Sequence, residues 1–573
     1  MKHWQILPVA ADAVADLSRL LNCSPIMATL LLNRNILNEN DARLFLNVSL
    51  SRLRSPFGLA GMNAAVERIV RAIGLRQKIL IFGDYDVDGI TATAILLEFF
   101  QHLNADVSYY IPHRISEGYS LQPAHISAYA VPNGIDLIIT ADCGSASHQA
   151  VTAAAAAGID VIITDHHQIV DPLPPAVAVI NPHRSDCCAG FENLAGVGVA
   201  FCLLICLRKH LRETCFWQTA PEPNLKDYCD LVAVGTVADI VPLRNDNRIF
   251  TAAGLEMIQS AGRPGLNALL RESGTNPETV AAQDIAFRLA PRLNAAGRLD
   301  HAAAAVELLT TRNPGTAAEI AARLNALNRE RQGVEQKMLA DIALMLSRHP
   351  ELLRKRSLVL AHSGWHEGVL GIVASRLLEM YFRPVVLISI RDGLARGSAR
   401  SIPGFDMFKG LTACSHFLKN FGGHTQAAGL SLQAERIEPF RQHFEKTVAE
   451  STAPDDFIPT LCIECRLNFK EISAAILDEL VSLEPYGCGN PEPLFMAGNI
   501  EVLTASLVGK THRRMLLGQP GADTRSRFNA IHFNIDPAGP VPERLERIAF
   551  RVRWNHWNGK KTPQLIIEEA VGE

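Results

Sequence analysis

From residue 78 onward, short apolar runs alternate with alanine-rich helical periodicities. KILIF leads into ITATAILLEFFQHL, DLIIT into SHQAVTAAAAAG, and VIIT into a loop and the extended AVAVIN. Runs of four or five apolar residues without polar alternation are those of strands buried on both faces. Their alternation with helices predicts βαβ units and a parallel, doubly wound sheet. Residues 1 to about 75 read instead as short helices, with helical apolar spacing in DLSRLLN and in AAVERIVRAIG, which leads into the first strand.

Further along, Asn313-Pro314 has the form of a helix N-cap followed by proline in the first turn. It opens an amphipathic run in which Ile320, Leu324, Leu327, Val334, Met338, Ile342 and Met345 recur at three- and four-residue steps, ending before Pro350. Such a helix spans on the order of 45 Å, enough to bridge two domains. A second α/β unit follows, with strands near SLVLAH and RPVVLISI and a glycine-rich end at FGGHTQAAGL. The runs RIAFRVRW and QLIIEEA, with turns at NGKK and PGAD, predict a small β-barrel. The α/β chain thus divides into an N-terminal helical segment (1–55), a doubly wound domain (56–312), a bridging helix (313–349), a second α/β domain (350–455) and an OB-like barrel (456–573).

Composition narrows the class. A chain of 573 residues exceeds one core. Its 55 Lys and Arg against 59 Asp and Glu, net −4, exclude a uniformly basic surface and leave room for local basic patches. Twelve cysteines without regular spacing form no disulfide framework, and Cys462-x-x-Cys465 lacks the second pair a structural zinc needs. No apolar signal core stands at the amino terminus, and no run approaches the roughly 18 apolar residues of a membrane span. The expectation is a reduced, soluble, cytoplasmic protein with no membrane partner.

Three of the apolar runs end in acids: ILIFGDYDVD, LIITADCG and VIITDHH. In open α/β sheets ligands bind beyond the carboxyl ends of the strands, so these acids converge on one edge. In extended chain Asp84, Asp86 and Asp88 point to one side, ~7 Å apart at ~3.3 Å per residue. Clustered carboxylates repel one another, and a divalent cation removes that cost. The Asp-x-Asp-x-Asp-Gly pattern also begins an EF-hand, but the twelfth position is Ile95 and a strand precedes the loop. Asp142 closes the second strand and Asp165-His166-His167 the third. A His-His pair alone is an ordinary cap or surface feature; with carboxylates at three strand ends it shifts the preference from Mg²⁺ toward Mn²⁺. Five or six ligands exceed the needs of one octahedral ion that keeps substrate and water. Two ions about 3.5–4 Å apart, sharing a carboxylate, suit phosphoester hydrolysis.

DYDVDG, ADCG, TDHH and GTVADIVPL, in this order, resemble the four motifs of the DHH phosphoesterase superfamily. LAGVGVAF, PRLNAAGRL, WHEGVLGIVASR, GSARS and FGGHTQAAG are similar to those of its RecJ family of single-strand-specific exonucleases, over the chain from about residue 55. The resemblance implies that one metal is held by Asp86 and Asp142 with Asp239 or His166, and a second by Asp88 with the remainder, Asp142 bridging. Asp84 and His167 would lie beside the metals and contact them or the phosphate. Asp239, which on its own reads as a loop cap, becomes a ligand. Ser398 and Arg400 of GSARS match a 5′-phosphate pocket, Arg114 and Arg298 match phosphate-facing arginines, and Tyr119 would stack on a base or sugar. His424 reads either as a close approach to phosphate or as a packing turn, and Arg292 as a surface ion pair. The implied activity is metal-dependent 5′ to 3′ hydrolysis of single-stranded DNA to nucleoside monophosphates in repair and recombination. The implied setting is a monomer working with single-strand-binding protein and a RecQ-type helicase.

Two basic clusters bear on the substrate. Arg544, Arg547, Arg551, Arg553, Lys560 and Lys561 lie near Trp554 and Trp557, opposed locally by Glu543 and Glu546; Lys510, His512, Arg513 and Arg514 form the other. Basic residues interleaved with aromatics on strands suit an OB-fold single-strand groove. Two other readings compete: a small-substrate phosphodiesterase, opposed by the bridging helix and barrel, and a silent nucleic-acid-binding scaffold, opposed by the filled ligand positions.

Overall fold

The computed structural model describes residues 2–169, 171–218, 221–260, 262–521, 526–537, 539, 542–557 and 560–572. Its first element departs from the helical expectation. Strand β1 (His3–Ile6) pairs in parallel with residues Thr460–Ile463, and Trp4 Nε1 donates to Glu569 Oε2 at 3.2 Å. Helices Ala11–Leu21, Pro25–Asn33 and Glu39–Leu46 follow; Ser24 caps the second by accepting from Met27 N. Their buried faces, Leu17, Leu30 and Leu31 among them, share a core with Phe495 and Phe550 of the C-terminal barrel. Arg34 and Glu464 form a buried pair at 3.0 Å across that junction. The N-terminal segment is therefore packed as part of the barrel.

The central sheet comprises β2 (Ile79–Gly83), β3 (Val107–Tyr110), β4 (Leu137–Ala141), β5 (Asp160–Thr164) and β6 (Ala178–Ile180). All pairings are parallel, in the order β3-β2-β4-β5-β6. Every residue of β2 and β4 is buried, as their unbroken apolar runs require. Winding reverses between β2 and β4, which makes the crevice beyond their carboxyl ends the place for a ligand.

The helix Pro314–Arg348 is capped by Asn313, whose side chain accepts from Gly315 N at 2.8 Å and Thr316 N at 3.2 Å. Ala317, Ala321 and Leu324 enter the core of the first domain, and Met338, Ile342 and Leu346 that of the second. Between these ends the buried stripe turns polar, through Asn325, Asn328, Arg331 and Glu335. Glu335 pairs with Arg331 at 3.1 Å and with Arg376 of the second domain. Arg292, expected in a surface ion pair, donates to Asn325 at 3.0 Å and ties the first domain to this helix.

The second domain carries β7 (Leu358–His362), β8 (Val385–Arg391), β9 (Leu394–Arg400), β10 (Asn420–Gly423) and β11 (Ala427–Gln433) in the order β10-β11-β9-β8-β7, with only β7 and β8 parallel. Asp392-Gly393, both at positive φ, close the β8–β9 hairpin. After β12 (Thr460–Ile463) and β13 (Cys465–Arg466) come β14 (Phe495–Val508), β15 (His512–Gly518), β16 (Phe528–His532), β17 (Arg544–Trp557) and β18 (Lys560–Gly572). Pairing runs β14-β15-β16-β18-β17 and back to β14, closing a five-stranded ring of the OB type. In the expected turns, Ala522, Asp523, Asn558 and Gly559 lie outside the described residues, as does the Trp557 side chain.

Candidate metal centre

The three aspartates do not continue the strand. β2 stops at Gly83, and Asp86 is the N-cap of the helix Val87–His102, its side chain accepting from Asp88 N at 3.0 Å and Gly89 N at 3.2 Å. Asp88 therefore lies in the first helical turn, where its approach to the others is set by a turn and not by pleat spacing. The N-cap preference of aspartate overrides the extended alternation. At Gly89 a Cβ would fall 2.7 Å from Asp84 Cα, so glycine lets the helix start tuck beneath Asp84.

Asp142 follows β4 at φ 64, a left-handed conformation that turns its carboxylate over the sheet edge. A Cβ on Gly196 would stand 2.4 Å from Asp142 Oδ1, which gives the glycine of LAGVGVAF its reason. Gly196 also begins the helix Gly196–Glu213, whose first N–H groups grip Asp88: Gly196 N donates to Oδ2 at 2.6 Å and Val197 N to Oδ1 at 2.8 Å.

Around this frame the strand tips meet. His166 Nε2 lies 3.2 Å from Asp142 Oδ1, 3.5 Å from Asp239 Oδ2 and 3.7 Å from Asp88 Oδ2. His167 Nδ1 lies 3.8 Å from Asp142 Oδ1. Three overlapping sets have ligand atoms within 4.8 Å of one another: Asp84 with Asp86 and Asp142, Asp88 with His166 and Asp239, and Asp142 with His166 and His167. The seven residues expected in the centre are thus brought together from three strand tips, one helix start and the end of the helix Cys229–Ala238.

Electrostatics make the cluster unsatisfied on its own. Burial, then the charge of Asp86, raises Asp84 well above the ordinary carboxylate range, and the same causes push Asp88 up to about 7. Burial and neighbouring carboxylates, Asp88 first, raise Asp142 strongly and Asp239 to about 9. Burial, then the charge of His167, lowers His166 to about 4 and keeps it a neutral imidazole, the form that binds metals. Asp84 Oδ1, Asp142 Oδ1 and His166 Nε2 are buried with no hydrogen-bond partner among the described residues. A group of carboxylate oxygens with one neutral imidazole, orphaned at its centre, fits a divalent cation of the Mn²⁺ or Mg²⁺ kind.

Asp165 had no assigned role in the sequence. It stays ionised because, although burial opposes this, His167 donates to it at 2.8 Å and its charge, with donors from Ser145 N and His167 N, outweighs the desolvation. His167 in turn is held up to about 9 by that bond and charge against its own burial. Asn181 completes the support, donating to the His167 carbonyl at 2.8 Å, and Asn294 accepts from Val87 N at 3.2 Å. Such roles are invisible without neighbours; only the strand-tip position of Asp165 was a signal.

Two clefts flank the centre. One, of about 990 Å³ between the first two domains, is lined by Arg114, Arg298, Ser398 and Arg400. Arg298 donates to Gly368 O at 3.0 Å across the domain boundary, and burial followed by the charges of Arg114 and Arg331 lowers its guanidinium to about 10. Arg400 donates to Ser398 Oγ at 3.2 Å and to Ser375 Oγ at 3.1 Å, and Arg114 lies over the Tyr85 ring at 4.8 Å. Guanidinium groups crowded this way favour an anion. The other cleft, of about 670 Å³, holds Tyr119 and His424 beside Asp165 and His167; the Tyr119 hydroxyl is 3.2 Å from His167 Nδ1.

The basic runs of the barrel are more compensated than their local sequence indicates. Arg551 pairs with Glu568 and lies 3.6 Å from Glu492, Arg553 also pairs with Glu492, and Lys561 lies 3.3 Å from Asp478. Strand β18 supplies Glu568, the loop before β14 supplies Glu492 and the helix Ala474–Ser482 supplies Asp478.

The DHH family N-terminal domain matches residues 78–236, the DHHA1 domain residues 355–450 and the RecJ OB domain residues 463–569. The single-stranded-DNA-specific exonuclease RecJ of Salmonella typhimurium is 39% identical over 527 residues, covering 89% of this chain and 90% of that protein. Its Bacillus subtilis counterpart is 36% identical over 575 residues, covering 99% and 71%. The chain belongs to the RecJ family. The crystal structure of RecJ in complex with Mn²⁺ from Thermus thermophilus superposes with a TM-score of 0.81 at 29% identity, covering 100% of this chain and 80% of that one. The corresponding complex with Mg²⁺ gives 0.77 at the same identity. The parallel sheet, long helix, second α/β domain and OB ring are thus the RecJ architecture.

Proposed function

We propose that the chain is a metal-dependent exonuclease that degrades single-stranded DNA from its 5′ end and releases nucleoside monophosphates. The observation that carries this reading is the meeting of Asp84, Asp86, Asp88, Asp142, His166, His167 and Asp239 beside an arginine-lined cleft, in a chain of the RecJ family.

Asp86, Asp88, Asp142, His166 and Asp239 would hold two divalent ions; of Asp142 and His166, which each take part in two of the overlapping ligand sets, only the carboxylate of Asp142 offers two oxygens to share. Such ions supply an acidified water and neutralise charge that builds on phosphate. The chain's own part is positional. Arg400, with Ser398 and Arg298, binds a terminal phosphate through charge-assisted hydrogen bonds, which sets the distance from the 5′ end to the cleaved bond. His167, kept protonated by Asp165, places positive charge at the phosphate beside Asp142. Tyr119, bonded to His167, borders the same spot and would contact the terminal nucleotide.

The reading extends, on family membership, to a monomer acting in the cytoplasm with single-strand-binding protein and a RecQ-type helicase in repair and recombination. No helix among the described residues is long and apolar enough to cross a membrane.

Time-resolved digestion of 5′- and 3′-labelled single strands, with and without Mn²⁺, tests the proposal. The 5′ label should leave first, as a mononucleotide, and only with metal; first release of the 3′ label, or equal attack on duplex, overturns it. Asp142→Ala should abolish cleavage while leaving strand binding within about threefold, measured by anisotropy.

A further inference from the structure

Phe287 is 78% exposed, the most exposed large apolar side chain among the described residues. A single exposed apolar residue means little by itself; its surroundings give this one meaning. It stands at the centre of the π-helical turn Ile285–Leu289, whose ends, Ile285 and Leu289, are fully buried. Inserted π-turns recur at functional sites because they push one side chain outward while anchoring the flanks. The same segment leads directly into the helix Ala290–Leu299, which carries Arg298.

The segment also borders two clefts. Phe287 lines the cleft of Arg114, Arg298 and Arg400, on which Phe421 also opens. A few residues earlier, Ala281, Ala282 and Gln283 line a separate cleft of about 520 Å³ with Arg553, Trp554 and Lys561 of the barrel, and Arg553 donates to Gln283 at 3.4 Å. A strand whose terminal phosphate sits against Arg400 and whose body reaches the barrel passes along this segment, and Phe287 is the apolar face it meets.

We propose that Phe287 is a substrate-binding platform on which a nucleobase stacks as the strand leaves the phosphate cleft for the barrel. The proposal rests on the single-strand exonuclease reading and adds to it the recognition of bases. Aromatic rings accept any base this way, so the contact grips without reading sequence.

The test uses the full chain with Mn²⁺. Phe287→Ala should raise KM for 5′-phosphorylated strands of twenty nucleotides about 5- to 150-fold, the range of one lost stack. It should leave kcat and the turnover of a nitrophenyl thymidine phosphate within about twofold, which also verifies folding. In an Asp142→Ala background, 2-aminopurine placed at successive positions from the 5′ end should be quenched on binding at one position. That quenching should vanish with Phe287→Ala and return with Phe287→Trp but not with Phe287→Leu. Unchanged KM and quenching in Phe287→Ala, or equal rescue by leucine and tryptophan, overturns the stacking role while 5′ to 3′ degradation stands. Failure of the unsubstituted chain to degrade single strands overturns the underlying reading instead.

Discussion

His167 donates through Nδ1 to Asp165 Oδ1 at 2.8 Å, and this one bond decides the charge of the second histidine at the centre. With His167 held up to about 9 against an ordinary 6.5, the stabilisation from the pair is complete below about pH 6.5 and is lost as pH rises through about 9. Asp165→Asn removes the anion and leaves burial to oppose the charge, so the His167 imidazole should titrate well below 9 in a metal-free NMR titration. Activity should fall about 10- to 100-fold, as for other partners that orient a site histidine. A His167 that still titrates near 9 in the variant would show that Asp165 is not its cause.

The carboxylates set a second pH dependence. With Asp88 pushed up to about 7 and Asp239 to about 9, the folded metal-free chain holds protons that the unfolded chain, titrating near 3.8, has released. Its stability should therefore fall as pH rises from about 4 through 9. Melting in EDTA at pH 5.5 should exceed that at pH 8.5, and Mn²⁺ should close the gap by stabilising the high-pH form. A melting temperature in EDTA that is flat or rises over this interval contradicts the account.

Gly196→Ala puts a methyl group 2.4 Å from Asp142 Oδ1. Asp142 Cβ, 2.6 Å from that methyl, must move together with its carboxylate, so Mn²⁺ affinity by calorimetry should drop at least tenfold and the melting temperature in EDTA should fall as well. Wild-type affinity in the variant would mean that Asp142 tolerates displacement and is not a ligand.

Arg400→Ala removes the guanidinium that bonds Ser398 and Ser375. A hydrogen bond to a charged group contributes about 1.5–3 kcal/mol, or roughly 10- to 150-fold. The loss in kcat/KM should fall mainly on 5′-phosphorylated strands, and equal loss on 5′-hydroxyl strands would remove Arg400 from the end pocket.

Much of this was legible along the chain, and the exceptions are physical. Strand tips converge because β2 and β4 are unbroken apolar runs on either side of a reversal of winding, which the alternation with helices already implies. Asp86 was misplaced because alternating aspartates look extended, whereas an aspartate followed by VDGITA can equally cap a helix, and only the fold chooses. β1 was missed because four residues with no local partner carry too little pattern. The compensation of Arg551 and Arg553 depends on the pairing of β17 with β18, which brings Glu568, and on the loop before β14, which brings Glu492; the polar stripe of Asn325, Asn328, Arg331 and Glu335 depends on what two domains leave between them. Asp165 offered only its strand-tip position, and Phe287 no local pattern, because the surroundings of each are set by the fold.

The parallel pairing of His3–Ile6 with Thr460–Ile463 has a consequence for biosynthesis. During translation the amino-terminal strand emerges long before its partner, while the central sheet can already close. The barrel must then be finished by recapturing a segment that has waited through most of the ribosome's passage, so mutations at Trp4 or Glu569 should mark the slowest part of maturation.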